Sequence, residues 1–332
     1  MGMGINSAMR ALVLHAPRDL RLEDVDERSP GNGWVKVRVR RVGICGTDKS
    51  IYLGDYVARK LPIILGHEIS GEIVEVGEGV DERMIGQRVT SEINLSCGEC
   101  SFCKRGLREH CLRRETLGIS LDGGMAEYVL TRADLIHPIG DLSWLQGAFI
   151  EPLAAALKPF FLMPPPPSSS IAVVGVGTIG LLSVQISALF APKRLVAISR
   201  RRGRKSELAE IFGAESMTVE EALNLKGEFD LVIEASGSPN GLEIALNLTR
   251  PRGTIFAKST HGKEVSFDYT RAVVNEITIL GSRCGPFDAA IELLRKGKVR
   301  VDELVTSVYK LEDGVEAFIR SLDPDELKVQ LE

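Results

Sequence analysis

Four cysteines stand at 97, 100, 103 and 111, a C-x2-C-x2-C-x7-C spacing. Thiolates are soft ligands, and a loop this short can wrap four of them around a tetrahedral zinc ion. Cys97, Cys100, Cys103 and Cys111 would close the shell, leaving no position for a substrate, so the role predicted is structural. Gly98, Lys104, Arg105 and Gly106 suit an exposed, looping lobe. An iron–sulfur cluster or a redox pair is the competing use of such cysteines; no proline follows the last of them, which favours zinc.

A second stretch with chemistry in it is Gly175-Val176-Gly177-Thr178-Ile179-Gly180. It follows the apolar run 171–174 and opens a helical pattern, the context in which such a run binds a dinucleotide. Gly175 permits the tight turn, Gly177 lets backbone approach a pyrophosphate, and Gly180 lets the helix pack close to the sheet. Thr178 and Ile179 begin the helix whose N-terminus favours the anion. At the end of the next strand an NAD site usually carries Asp or Glu. Here Ser199 is followed by Arg200, Arg201 and Arg202, with Arg204 and Lys205 nearby. This run holds no acid to repel a 2′-phosphate and several guanidinium groups to grip it. NADP(H) is therefore expected over NAD(H), against the plainer reading of a solvated basic loop.

The remaining candidates are scattered. They are Cys45-Gly46-Thr47-Asp48, Gly66-His67-Glu68 and Glu151-Pro152. Singly, a cysteine is usually core filler and a histidine usually a structural hydrogen-bonding group. His67-Glu68 is no zinc-protease helix, because Gly71 stands where its second histidine would be.

The elements that must position these residues change character along the chain. Up to about residue 150 the pattern is β-rich. Val35, Val37 and Val39 alternate with Lys36, Arg38 and Arg40, the period of a half-buried strand over 34–42. Strands are also expected at 69–76 and 125–130. From 150 onward, strands at 171–174, 194–198, 229–234, 254–257 and 277–280 alternate with helical stretches, which implies a parallel sheet and an α/β fold. The 332 residues suit about two domains. A formal charge of −4 argues against a general nucleic-acid binder. No apolar run is long enough for a membrane helix, and residues 1–10 lack the pattern of a signal peptide, so a cytoplasmic location is expected.

Together, these motifs resemble the zinc-dependent medium-chain alcohol and polyol dehydrogenases. The likeness is carried in order by Cys45-Gly46-Thr47-Asp48, Gly66-His67-Glu68, the four-cysteine lobe, Gly123-Gly124-Met125-Ala126-Glu127-Tyr128, Glu151-Pro152-Leu153-Ala154, the glycine fingerprint and Gly281-Ser282-Arg283. It covers nearly the whole chain, and Glu151-Pro152 and Tyr52 lean toward the polyol, sugar and secondary-alcohol branch.

The resemblance implies a GroES-like, β-rich catalytic domain at 1–149, with a structural-zinc lobe at 97–111. It implies a Rossmann domain, a doubly wound parallel sheet, at 150–281, and a return to the catalytic domain at 282–332. It makes Cys45 and His67 ligands of a catalytic zinc, with Glu68 a ligand or a close neighbour and Glu151 a further ligand or a nearby carboxylate. Asp48 would orient the imidazole, and Thr47 would pass a proton onward. Ser50 stands where many relatives place the next relay residue, a histidine. The function implied is hydride transfer between a nicotinamide coenzyme and a small alcohol or carbonyl, with a homodimer or homotetramer expected by analogy. The rival readings are a zinc-independent enone or quinone reductase on the same scaffold and a non-catalytic nucleotide-binding protein; the set Cys45, His67 and glutamates weighs against both.

Overall fold

The computed structural model describes residues 8–332; the first seven residues of the stretch read for a leader pattern lie outside them. Among the described residues no helix is long and apolar enough to cross a membrane. The chain divides into two compact units, Met1–Glu151 with Val301–Glu332, and Pro152–Arg300.

The first unit is β-rich, and strand Trp34–Gly43 is its hub. It pairs antiparallel with Glu68–Val76, with Tyr128–Arg132 and with the C-terminal strand Lys328–Leu331. Val35 and Val37 are buried, as their alternation predicts. The register then shifts between Lys36 and Val37 and again between Val39 and Arg41. Such irregularities break the two-residue phase. Lys36, expected on the wet face, is 5% exposed. Its ammonium is compensated by Glu27 at 2.8 Å and Glu75 at 2.5 Å. The strand expected at 125–130 begins later, at Tyr128. The reason lies in Met125, whose backbone is already bonded to Leu12 and Leu65. A hairpin of Ala8–Ala16 and Asp19–Asp26, joined by Ile63–Ile64, forms a separate small sheet that the sequence pattern did not announce.

The second unit is α/β. Its six parallel strands lie in the order Glu215–Thr218, Arg194–Ser199, Ser170–Val174, Phe229–Glu234, Thr249–Ala257 and Thr278–Gly281. The chain starts in the middle, winds out to one edge, and returns to wind out to the other, the doubly wound Rossmann order. Val174, Val196, Ile198, Val232 and Ile255 pack with Leu246 and Leu248 to form one of its cores. Strand Glu215–Thr218 escaped the sequence reading because, as an edge strand, it lacks an apolar run.

The domain boundary expected at 281/282 lies elsewhere: the second unit continues to Arg300. Packing accounts for the difference. Gly285 sits so close to the backbone of Ala154 that a Cβ there would fall 1.8 Å from its carbonyl oxygen. The Gln185 side chain donates to Arg300 O at 2.9 Å and accepts from Arg300 N–H at 2.7 Å. Helix Phe287–Arg295 also buries Phe287, Ala290, Ile291 and Leu294.

Candidate active site

Cys45 lies just past strand Trp34–Gly43, at the start of helix Gly46–Leu53. Its backbone N–H donates to Asp48 Oδ2 at 2.8 Å, and the Gly66 N–H donates to Asp48 Oδ1 at 3.3 Å. One fully buried carboxylate therefore ties the cysteine segment to the histidine segment. Gly66 turns with φ +93°, and a Cβ there would meet Met125 at 2.7 Å and Val42 at 2.9 Å. Only glycine lets the chain pass this point and present His67.

His67 is buried. Its Nδ1 lies 3.5 Å from Asp48 Oδ1, a separation that favours electrostatic attraction over a well-formed hydrogen bond. Among the described residues that nitrogen is buried without a hydrogen-bond partner. The Cys45 side chain meets the same imidazole. Burial opposes protonation of His67, but Asp48 and Cys45 outweigh it and raise its proton affinity well above the ordinary histidine range. The Asp48 carboxylate beside the donor pair favours a cation there.

Thr47 and Ser50 are both half-buried on helix Gly46–Leu53, three residues apart and hence on one face. Lys49 is anchored away from them, donating from Nζ to Ser321 O at 2.5 Å.

The two glutamates differ in their surroundings. Both oxygens of Glu68 accept hydrogen bonds from Lys328 Nζ, at 2.7 and 2.6 Å, and both side chains are buried. Gly43, paired opposite Glu68, leaves the room: a Cβ there would fall 2.1 Å from Glu68 Oε2. The Glu68 carboxylate is thus engaged by a buried ammonium. Glu151 is buried in the first turn of helix Ile150–Leu162. Among the described residues, Cys45, His67, Glu68 and Glu151 form no set of donor atoms mutually within 4.8 Å.

The four lobe cysteines do form such a set. Adjacent sulfurs are 3.5 to 4.0 Å apart. The edge of a tetrahedron of thiolates around zinc is about 3.8 Å, so the sulfurs are already spaced for the ion. Backbone N–H groups also aim at them: Cys100 at Cys97 Sγ (3.4 Å), and Cys97 and Arg113 at Cys111 Sγ (3.3 Å each). Backbone donors pull the Cys97 thiol down to about 6, toward the thiolate that a metal requires.

In the second unit, Gly175 turns with φ +101° and Gly180 opens no gap: a Cβ on it would meet Gly175 O at 1.8 Å. The space beside Gly177 is open, and helix Thr178–Ala188 begins there, with Ile179 in its first turn. Ser199, at the end of strand Arg194–Ser199, donates to Arg201 O at 2.8 Å. Arg200, Arg201 and Arg204 are exposed. The structure adds one acid that the local sequence does not contain. Glu221 pairs with the exposed Arg202 at 2.9 Å and so sets a negative charge beside the basic run.

These features find their counterpart in known proteins. Residues 31–141 match the alcohol dehydrogenase GroES-like domain, and residues 153–332 match the glucose dehydrogenase C-terminus. D-arabinitol dehydrogenase 1 of Uromyces fabae is 32% identical over 97% of this chain and 96% of its own length. The chain belongs to the zinc-dependent medium-chain alcohol and polyol dehydrogenases. A zinc-binding dehydrogenase of Sinorhizobium meliloti, bound to NADP, superposes with TM-score 0.91 at 29% identity, covering 98% of this chain and 99% of that one. An alcohol dehydrogenase of Escherichia coli CFT073, complexed with NADH, superposes with TM-score 0.90 at 28% identity, with the same coverage. As a member of this family the protein is an NAD(P)-dependent oxidoreductase of alcohols and carbonyls.

Within this medium-chain dehydrogenase, Lys328 is the residue that sequence reasoning missed. It stands in the C-terminal strand, all four of whose residues are buried. A lone lysine in an otherwise buried strand needs a counter-charge, and that is a signal a sequence can give. What it cannot give is the partner, which lies 260 residues away.

Proposed function

We propose that this enzyme interconverts a polyol or other secondary alcohol and the corresponding carbonyl compound, with NADP(H) preferred. The observation that carries the reading is the meeting of the Cys45 and His67 side chains over one buried Asp48. A cysteine sulfur and an imidazole beside a buried carboxylate are a donor set that suits zinc. Cys45 and His67 would hold the catalytic ion, with the buried Glu151 a candidate for a further ligand. The buried Nδ1 of His67 is left to Asp48, and the imidazole's other nitrogen is then the one available to a metal. Zinc, when bound, supplies Lewis acidity at a substrate oxygen.

The chain's own residues do the rest. Asp48 fixes the Cys45 and Gly66 backbones, so the two ligands keep their spacing without cost at the moment of reaction. Thr47 lies two residues after Cys45 and offers a hydroxyl that can accept and release the alcohol proton. Ser50, on the same helix face, is next in line. Cys97, Cys100, Cys103 and Cys111 would hold a second, structural zinc, a reading supported by their sulfur spacing. The glycine turn at 175–180 would hold the coenzyme pyrophosphate, and Arg200, Arg201 and Arg204 would meet a 2′-phosphate beside Ser199.

The polyol assignment leans on the arabinitol-oxidising relative. The test is a coenzyme-absorbance assay over polyols, aldoses and secondary alcohols with both NADP and NAD. Turnover of a polyol or secondary alcohol, with the higher kcat/KM for NADP, is the expected result. Turnover of primary alcohols alone would refute the substrate class. Equal kcat/KM for the two coenzymes, or a better value with NAD, would refute the coenzyme preference.

A further inference from the structure

Glu234 closes strand Phe229–Glu234 and lies in register with Val174 on one side and Ala257 on the other. Its neighbour Val174 is the residue immediately before the fingerprint glycine. The side chain is 4% exposed, and among the described residues no cation pairs with it. Lys258, one position beyond its strand partner, is turned to Ser282, whose carbonyl and hydroxyl oxygens take its Nζ at 3.0 and 3.1 Å. A buried carboxylate without a counter-ion must be held by hydrogen-bond donors.

Three donors converge on one oxygen. Glu234 Oε1 accepts from Ser236 N–H at 2.9 Å, Ser236 Oγ at 2.6 Å and Ser259 Oγ at 2.8 Å. Ser259 Oγ in turn accepts from the Gly237 N–H at 2.8 Å, and Ser236 Oγ from the Ser238 N–H at 3.1 Å. Helix Gly241–Leu248 begins against the same oxygen, since a Cβ on Gly241 would fall 2.2 Å from Oε1. The carboxylate is therefore the fixed centre of the loop 235–240.

That loop abuts the coenzyme fingerprint. Ala235 N–H donates to Val174 O at 2.9 Å. A Cβ on Gly175 would meet Ala235 O and Ser236 Cα at 2.6 Å each. The two turns lie on neighbouring strands, where the order of the parallel sheet reverses; a doubly wound fold binds its ligand there.

We propose that Glu234 is a positioning residue for the coenzyme. Its carboxylate holds the 235–240 loop against the Gly175 turn and so fixes the shape of the dinucleotide seat. It acts through Ser236, Ser259 and Gly237 and touches neither the nicotinamide nor the substrate. The inference rests on the reading of the glycine turn as the coenzyme site.

The test is fluorescence titration of the full chain with NADPH and NADH, paired with kcat measured at saturating coenzyme. Glu234→Ala is expected to weaken coenzyme binding by roughly tenfold to a hundredfold, the worth of hydrogen bonds to a charged group, with kcat near the wild-type value. Glu234→Gln keeps an oxygen acceptor in place and is expected to recover most of the affinity. Ser259→Ala leaves the carboxylate but cuts its link to Gly237, and is expected to fall between them. Wild-type affinity in Glu234→Ala overturns the proposal. So does a loss of kcat with affinity unchanged, which a merely structural role would produce by lowering the active fraction. If Glu234→Ala does not fold, Ser259→Ala decides by the same criteria. A wild-type chain that binds neither coenzyme overturns the coenzyme reading itself, a distinguishable result.

Discussion

Replacing Lys328 by Met tests how the charge beside Cys45 is held. The Lys328–Glu68 pair is buried on both sides, at 5% and 1% side-chain exposure, with Nζ 2.6 Å from the nearer oxygen. At an effective dielectric constant of about 20, unit charges at that separation attract by roughly 6 kcal/mol. Desolvating each ion costs several kcal/mol, so the intact pair is close to balanced. Removing one partner destroys that balance. Lys328→Met strands the Glu68 carboxylate in a dry site, and the expected cost is about 3–5 kcal/mol. For a unit of this size that lowers Tm by roughly 6–20 °C. The double variant Lys328→Met with Glu68→Leu removes both charges and should recover most of the loss, because an apolar pair of similar volume replaces the ions. Thermal unfolding of the four proteins in this cycle reads the coupling directly. A cost below about 1 kcal/mol for Lys328→Met, or a double variant no more stable than the sum of the singles, would refute the reasoning. It would mean that water or a shifted backbone already solvates Glu68.

Other outcomes follow from the same geometry. Thr47→Ala is expected to lower turnover at least about tenfold, the smaller end of acid–base contributions being larger still; near-normal turnover would remove Thr47 from proton transfer. Metal analysis of the purified protein should give about two zinc ions per chain, falling to about one in Cys103→Ser, with the loss confined to the closed four-sulfur set. Glu326 is held below the ordinary glutamate range: burial works against this, but hydrogen bonds from Thr306, Arg320 and Ser307 prevail. Its contribution to stability is therefore present above the unfolded value of 4.5 and is lost as pH falls through the lower folded value. Glu326→Gln should be less stable than wild type at pH 7, and the gap should narrow in acid unfolding curves as pH falls below 4.5 and through the lower folded value.

Much of this was legible without coordinates. The cysteine spacing determines that four sulfurs can share one ion, because the loop between them is too short to part them. The fingerprint Gly175-Val176-Gly177-Thr178-Ile179-Gly180 determines a strand–turn–helix, because only glycine fits at the turn and at the close approach of helix to strand. The alternation of strands and helices from 150 onward determines a parallel sheet, since each parallel partner needs a crossover. These are local facts, set by neighbours in the chain.

Tertiary structure alone decided what depends on segments far apart in sequence. The phase of strand Trp34–Gly43 changes at irregularities that only its partner Glu68–Val76 defines, and Lys36 is buried because Glu27 and Glu75 reach it. The sequence leaves Glu68 either a metal ligand or a close neighbour, and only the fold brings Lys328 to its carboxylate across 260 residues. Arg202 belongs to a run without a local acid, and only the fold sets Glu221 beside it. Charges act through space and are neutralised by whatever the fold sets beside them. Residue types and spacing therefore specify which groups can do chemistry, and packing specifies which of them are free to do it.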